Sequence, residues 1–458
     1  MMPAQAMEQA KALREAGNWA GSAAVLAPLI KTQPGNFAAV YYYGMALLEA
    51  GQPGEALRQF NRLVKAGKHL EQAHYMLGRA HSEVGDAAGA RRHFEKSHAL
   101  KPTPQTLRAV SNLAWMSSEF DRFHDVLTRA PEALKVAAYG LIVEAEELDA
   151  AETAWNRMPT SLRGGIEAQF HRSQHMQKAG EGQASLAAAR IAYAGAPTAP
   201  AIVDALVVAE LMCGDGQGAL RAIAPLRAAQ PNNQHWIAHE ATALRILEDP
   251  RYEHLIRVDE HVRPHDLPVP EGYDTIEDFN RDFIAALDEE RSFSHHPIDQ
   301  SLRIGVQTTQ SLMQMKHPVV QAYLRALDGP IRDYMDEIGN APDHPLSRRN
   351  TGDYTITGCW SVRLKPGGYH VSHVHPEGWI SSAYYASVPE ETLSGESHAG
   401  WIQFGQPPFR TTPELGPERW VQPRAGLLVL FPSYMWHGTH PIGDGAERIT
   451  APFDAVPA

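Results

Sequence analysis

"GQPGEALRQFNRLVKAGK" (Gly51–Lys68) is matched 34 residues later by "GDAAGARRHFEKSHALKP" (Gly85–Pro102), and more loosely 34 residues earlier by "GNWAGSAAVLAPLIKTQP" (Gly17–Pro34). Gly17, Gly51 and Gly85 hold one position of the period. Leu26, Phe60 and Phe94 hold a second, Ala56 and Ala90 a third, and Gly44 and Gly78 a fourth. Pro34 and Pro102 stand two periods apart. Small residues, one bulky residue and a proline at a fixed period describe two amphipathic helices joined by a tight turn. The small residues sit where helices cross closely, and the bulky ones are expected to fill the gap to the next unit. The proline ends the second helix, because it cannot continue the hydrogen-bond ladder.

A period of 34 with this pattern is of the tetratricopeptide type. Past residue 105 the register decays but the texture persists. "DAAETAWNRMP" and "GDGQGALRAIAPLRAAQPNN" still read as second helices, and "QPNN" echoes "QPGN". Residues 1–250 are therefore expected to form one all-α solenoid of six or seven helix pairs, with a plain helical bundle as the alternative beyond residue 102. Solenoids bind other chains along a concave face, so a protein or peptide partner is expected for this half.

The 458-residue chain is long enough for two or more domains, and 43% hydrophobic with 21% charged residues is ordinary for a globular protein. A net charge of −12 with thinly spread Lys and Arg gives no basic face, so nucleic acid is not an expected partner. Two cysteines, Cys213 and Cys359, cannot make a disulfide framework. The N-terminus has no apolar leader segment and no stretch reaches the length of a membrane span, so a cytoplasmic protein without membrane contact is expected.

Near "RPHDLPVPEGYD" (263–274) prolines cluster and the alanine-rich texture stops, as at a linker or domain start. Ile276, Phe279, Phe283 and Leu287 make a helical stripe. "KHPVVQAYLRALDGPIRDYMDEIG" makes another, with Pro318 at its start and a kink expected at Pro330. After residue 350, short apolar or alternating runs between Pro/Gly-rich turns read as strands of an antiparallel sandwich or jelly roll. A second domain over 255–458 follows.

Within it, "PGGYHVSHVHPEGW" (Pro366–Trp379) concentrates three histidines and a glutamate. On a strand, His373 and His375 would face the same way, joined by Glu377 if Pro376 does not end the strand. The apolar strand "LLVLFP" runs out just before His437, and Arg448 lies eleven residues further on. Two ligands from one strand and a third from a distant one can hold a single ion at the mouth of a jelly roll. Open positions beside imidazole suit Fe(II) rather than a closed structural zinc site. Taken alone, "HVH" reads more simply as a polar strand edge than as a metal site. Arg448 on a buried strand needs an anion, and a dicarboxylate fits its two-pronged donor set.

"GGYHVSHVHPEGWISSAYYASVP", "GWIQFG", "GLLVLFPSYMWHGTHPI" and "ERIT" resemble the Fe(II)/2-oxoglutarate-dependent dioxygenases, nearest to bacterial oxygenases with an N-terminal tetratricopeptide region and more distantly the prolyl hydroxylases. The resemblance covers about residues 255–458. It implies a double-stranded β-helix (jelly roll) of α+β class, with Fe(II), 2-oxoglutarate and O2 as cofactor and cosubstrates. By the same resemblance His373 matches the first iron ligand and His437 the distal one. Arg448 matches the partner of the 2-oxoglutarate C5 carboxylate, and Tyr385 a tyrosine that helps bind it. His375 stands where the family has aspartate. Either His373, His375 and His437 hold the metal, or Glu377 replaces His375, or water takes the carboxylate position.

The implied reaction is hydroxylation of a substrate C–H, with a protein or peptide side chain suggested by the recruiting helices. The rivals are a cupin-type metal enzyme without 2-oxoglutarate, and a non-enzymatic repeat scaffold with a degenerate barrel. A cupin motif would carry a glutamate four or five residues after His375, where Trp379 and Ile380 stand, and would have no use for Arg448. Trp379, Trp401 and Trp436 are candidates for the pocket wall, with core packing as the alternative.

Overall fold

Three glycines one repeat apart close three identical turns. In the computed structural model, Gly17, Gly51 and Gly85 have φ of 72°, 72° and 73°, a left-handed conformation that glycine adopts without Cβ strain. They follow the helices Pro3–Glu15, Phe37–Glu49 and Leu70–Glu83. The next N–H in each case reaches back to the helix: Asn18 to Leu13 O, Gln52 to Leu47 O and Asp86 to His81 O, all at 2.8 Å. The second helices, Trp19–Thr32, Pro53–Lys65 and Ala87–Leu100, then begin. Asn18 and Asp86 cap two of them, accepting from the N–H groups of Gly21 and Gly89. The structure describes residues 2–288, 295–298, 300–308, 311–393, 397–445 and 447–458.

The small-residue positions are explained by contact. A Cβ on Gly44 would lie 2.8 Å from the ring of Phe60, and one on Gly78 would lie 2.4 Å from that of Phe94. Phe60 and Phe94 thus pack into their own helix pair and also reach the next unit, where Phe60 shares a core with Met76 and Leu77, and Phe94 with Val110 and Leu113. The flat ring fills the space that the missing Cβ leaves. Gly78→Ala should therefore destabilise the fold by about 1–3 kcal/mol in urea unfolding, against the stabilisation of about 1 kcal/mol that Gly→Ala gives inside an unobstructed helix. Combining it with Phe94→Leu should recover part of the loss.

Helical pairs continue through Pro104–Met116 with Phe120–Thr128, Lys135–Glu144 with Leu148–Arg157, Ile166–Lys178 with Gly182–Gly195, and Pro200–Met212 with Gly216–Ala229, before a single helix Gln234–Ile246. That makes seven pairs among the described residues. The chain divides into two compact units, Met1–Leu141 with Arg291–Ile298, and Ile142–Glu290 with Asp299–Ala458. Sequence texture changes near 255, whereas packing divides the chain near 141. In the second unit Ile237, Ala241 and Leu244 share one core with Phe279, Phe283, Tyr384 and Leu430. The Arg245 guanidinium also donates to the carbonyls of Gly405 (2.9 Å) and Gly416 (3.0 Å). No helix among the described residues is long and apolar enough to cross a membrane.

Eleven strands follow among the described residues: β1 Arg263–Asp266, β2 Leu302–Gln307, β3 Tyr354–Cys359, β4 Val362–His370, β5 Ile380–Ser387, β6 Ile402–Phe404, β7 Arg419–Val421, β8 Leu427–Pro432, β9 His437–Thr439, β10 Arg448–Thr450 and β11 Phe453–Pro457. One antiparallel sheet runs β1-β8-β5-β10-β4-β2, with β11 joining β5 to β3, and a second runs β7-β6-β9. This two-sheet arrangement agrees with the expected jelly roll. β8 is apolar throughout because both faces are buried. Leu428 and Leu430 face the core shared with the helices Ile276–Asp288, Pro318–Ala326 and Asp328–Ile338, while Leu427, Val429 and Phe431 face Tyr385 and Phe404 inside.

Two expectations change. "RPHD" is not linker but an edge strand, where Pro264 costs no ladder hydrogen bond on the open side. Pro330 does not kink one helix: the first ends at Ala326, and Pro330 lies in the first turn of the next, where its missing N–H is harmless.

Candidate metal centre

β4 ends at His370, and the "HVH" stretch that follows is extended chain rather than regular strand. It is anchored by one bridge. The His373 N–H donates to His437 O at 2.9 Å, and the His437 N–H returns to His373 O at 3.1 Å. This cross-strand pair sets the two rings 4.2 Å apart, and His375 lies 5.2 Å from each. One ring nitrogen of each histidine comes within 4.8 Å of the others.

The opposite ring nitrogens are already committed. His373 Nδ1 lies 2.9 Å from Val371 O, and His437 Nδ1 lies 3.0 Å from Met435 O. His375 Nδ1 lies 2.6 Å from Asp454 Oδ1 and 2.5 Å from Oδ2. Each of these acceptors calls for an Nδ1–H, which leaves three Nε2 lone pairs for an ion. Burial pushes the His373 imidazole down to about 3 and holds that of His437 well below the usual range, so both rings stay neutral and able to ligate. This donor set fits a divalent transition ion with open positions.

Asp454, on β11, was not singled out in the sequence. Ser381 Oγ donates to its Oδ1 at 2.7 Å, so the carboxylate is fixed while it holds the ring of His375. The site therefore keeps a carboxylate charge one imidazole further out than an H-x-D motif would. Asp454→Asn should lower Fe(II) affinity about 10- to 100-fold, read by titration against a competing chelator. Glu377 is exposed in the turn after Pro376 and is not in the group of converging ligand atoms. Glu377→Ala should accordingly leave that affinity within about twofold. A loss equal to that of His373→Ala would make Glu377 the ligand instead.

Beside the histidines, a cavity of about 210 Å³ is lined by Arg448 of β10 and Tyr385 of β5. Arg448 is 2% exposed. Its Nη1 donates to Gly400 O at 2.7 Å, and its Cζ lies 5.6 Å from the centre of the Tyr385 ring. Arg448 Nε and Tyr385 Oη have no hydrogen-bond partner among the described residues. Burial lowers the arginine's proton affinity and pushes the Tyr385 phenol up to about 12. A buried cation and a neutral hydroxyl, both with unused donors, fit one end of a dicarboxylate. Trp360 lines the same cavity. Trp379, Trp401 and Trp436 do not: their indole N–H groups donate to Leu346 O, Thr392 O and Thr242 Oγ1.

Residues 358–454 match the family model described as "Putative 2OG-Fe(II) oxygenase". The chain carries a 2OG-Fe(II) oxygenase domain. Residues 7–71 and 44–103 match the tetratricopeptide repeat model, so this oxygenase domain follows a repeat array of a kind that generally mediates protein interactions. The family's cofactor and cosubstrates are Fe(II), 2-oxoglutarate and O2.

Among solved structures, a tetratricopeptide repeat protein from Parabacteroides merdae is 11% identical, with 54% of this chain and 88% of that one covered at a TM-score of 0.34. A Pseudomonas putida prolyl-4-hydroxylase is 16% identical, with 48% and 99% covered at 0.29. HygX from Streptomyces hygroscopicus, solved with nickel and 2-oxoglutarate bound, is 13% identical, with 44% and 85% covered at 0.29. Among curated proteins none matches the chain significantly.

Proposed function

We propose that His373, His375 and His437 bind the Fe(II) of this oxygenase domain, and that Arg448 with Tyr385 binds the far carboxylate of 2-oxoglutarate. The observation that carries this reading is the buried Arg448, with an unused Nε, in the same cavity as three convergent imidazoles. The overall reaction joins 2-oxoglutarate, O2 and a substrate R–H to give succinate, CO2 and R–OH. Bound iron supplies the redox chemistry. The chain's own residues hold the ion's geometry, orient the cosubstrate from its C5 end and exclude bulk water.

The substrate proposed is a protein or peptide side chain. The helical region 1–250 would recruit it and the oxygenase region 255–458 would act on it, in a reducing compartment such as the cytoplasm, which suits two free thiols. The test is anaerobic addition of Fe(II) and 2-oxoglutarate, followed by O2. A visible absorption band needing both additions, and then succinate, are expected. Metal binding without any response to 2-oxoglutarate would favour the cupin-type reading. Substrate class is tested separately, by incubating the full chain with peptide libraries and looking for a mass gain of one oxygen atom.

A further inference from the structure

A second set of ligating side chains lies outside the oxygenase cavity. Asp204 comes from the helix Pro200–Met212, and His235 and His239 stand one turn apart on the helix Gln234–Ile246. Asn233 caps that helix, its Oδ1 accepting from the His235 N–H at 3.0 Å, which fixes the first turn. Both imidazoles aim at one carboxylate oxygen. Asp204 Oδ1 is 2.6 Å from His235 Nε2 and 2.8 Å from His239 Nε2, and the two Nε2 atoms are 3.1 Å apart. His239 is buried, while the side chains of His235 and Asp204 are 28% and 32% exposed, so one side of the group opens to solvent.

A plain hydrogen-bonded trio is the competing explanation. It needs two N–H hydrogens crowded onto one oxygen, from nitrogens only 3.1 Å apart. A divalent ion replaces both protons by one charge close to all three ligand atoms, which lie within 3.1 Å of one another. A point about 2.1 Å from every corner, an ordinary metal–imidazole and metal–carboxylate distance, lies above the plane of this triangle, and the three atoms subtend roughly right angles there, as on one face of an octahedron. Water on the open side can complete the coordination.

We propose that Asp204, His235 and His239 form a second divalent-metal site, of the two-imidazole, one-carboxylate type that takes zinc-like ions. No residue is shared with the oxygenase cavity, so the proposal stands whether or not the iron assignment holds. The site is nonetheless connected to that centre. His239 lies 5.6 Å from the ring of Trp436, the residue before His437, and Ala238 packs on Trp436 and Val374. An ion here would tie this helix to Pro200–Met212, behind the packing contact with Trp436 and Val374.

The test is titration of the chelator-treated full chain with Co(II), read by visible d–d absorption and by metal analysis after gel filtration. In a His373→Ala/His437→Ala background one equivalent should remain, and adding Asp204→Asn and His239→Gln should remove it. If the combined variants fail to fold, wild type against Asp204→Asn decides: two equivalents against one are expected. No bound ion in the first background, an equivalent that survives both further substitutions, or equal stoichiometry for wild type and Asp204→Asn would overturn the site.

Discussion

Arg448→Leu should abolish 2-oxoglutarate turnover while leaving Fe(II) bound. The guanidinium is buried and only part of its donor set is used, so in wild type a dicarboxylate gains a desolvated, charge-assisted partner. Loss of one member of such a pair costs about 2–5 kcal/mol, roughly 30-fold to several thousand-fold in affinity. Succinate formation should fall by that factor or more. In wild type loaded with iron, 2-oxoglutarate at 100 times its Kd should add about 2.7 kcal/mol of stability, a rise in Tm on the order of 5 °C. The leucine variant should show no such rise. Without ligand it should be at least as stable as wild type, because a partly partnered buried charge is gone. Arg448→Lys should keep part of the response, since it retains charge without the planar fork. No thermal response in wild type, or undiminished succinate from Arg448→Leu, would refute the cosubstrate role.

His437→Ala should have the larger effect on the metal. His437 is one of the bridged pair, and its ring is held from behind by Met435 O. Removing it takes away one of the three proposed ligands and opens a hole beside His373. Fe(II) affinity should fall by more than the roughly 100-fold that loss of an outer hydrogen-bond partner costs. The absorption band that requires iron and 2-oxoglutarate together should vanish, and bound metal should drop by one equivalent. The band is the decisive readout, because the second site would still take up metal. A band of unchanged intensity in the alanine variant would exclude His437 as a ligand.

The sequence by itself determined the parts that depend on neighbours along the chain. A period of 34 places Gly17, Gly51 and Gly85 in identical turns, because turn geometry is set by a few adjacent residues. The alternation in β3 and the unbroken apolar run of β8 report burial on one face or two, so the jelly roll was legible as short strands. His373, His437 and Arg448 could be singled out because their order and spacing resemble the family's pattern, and His375 because it stands two residues past His373, where that pattern has aspartate. What only tertiary structure decided is which faces meet. Asp454 reaches His375 from 79 residues away. Asp204 reaches His235 across 31 residues, from another helix pair. The "HVH" segment takes its direction from a bridge to His437 rather than from a strand of its own. The helix Gln234–Ile246, composed like the repeats before it, shares its core with the sheet. Periodicity fixes the direction a side chain takes from its own element. The partner it finds depends on how distant elements pack to remove their apolar faces from water, and no local pattern records that.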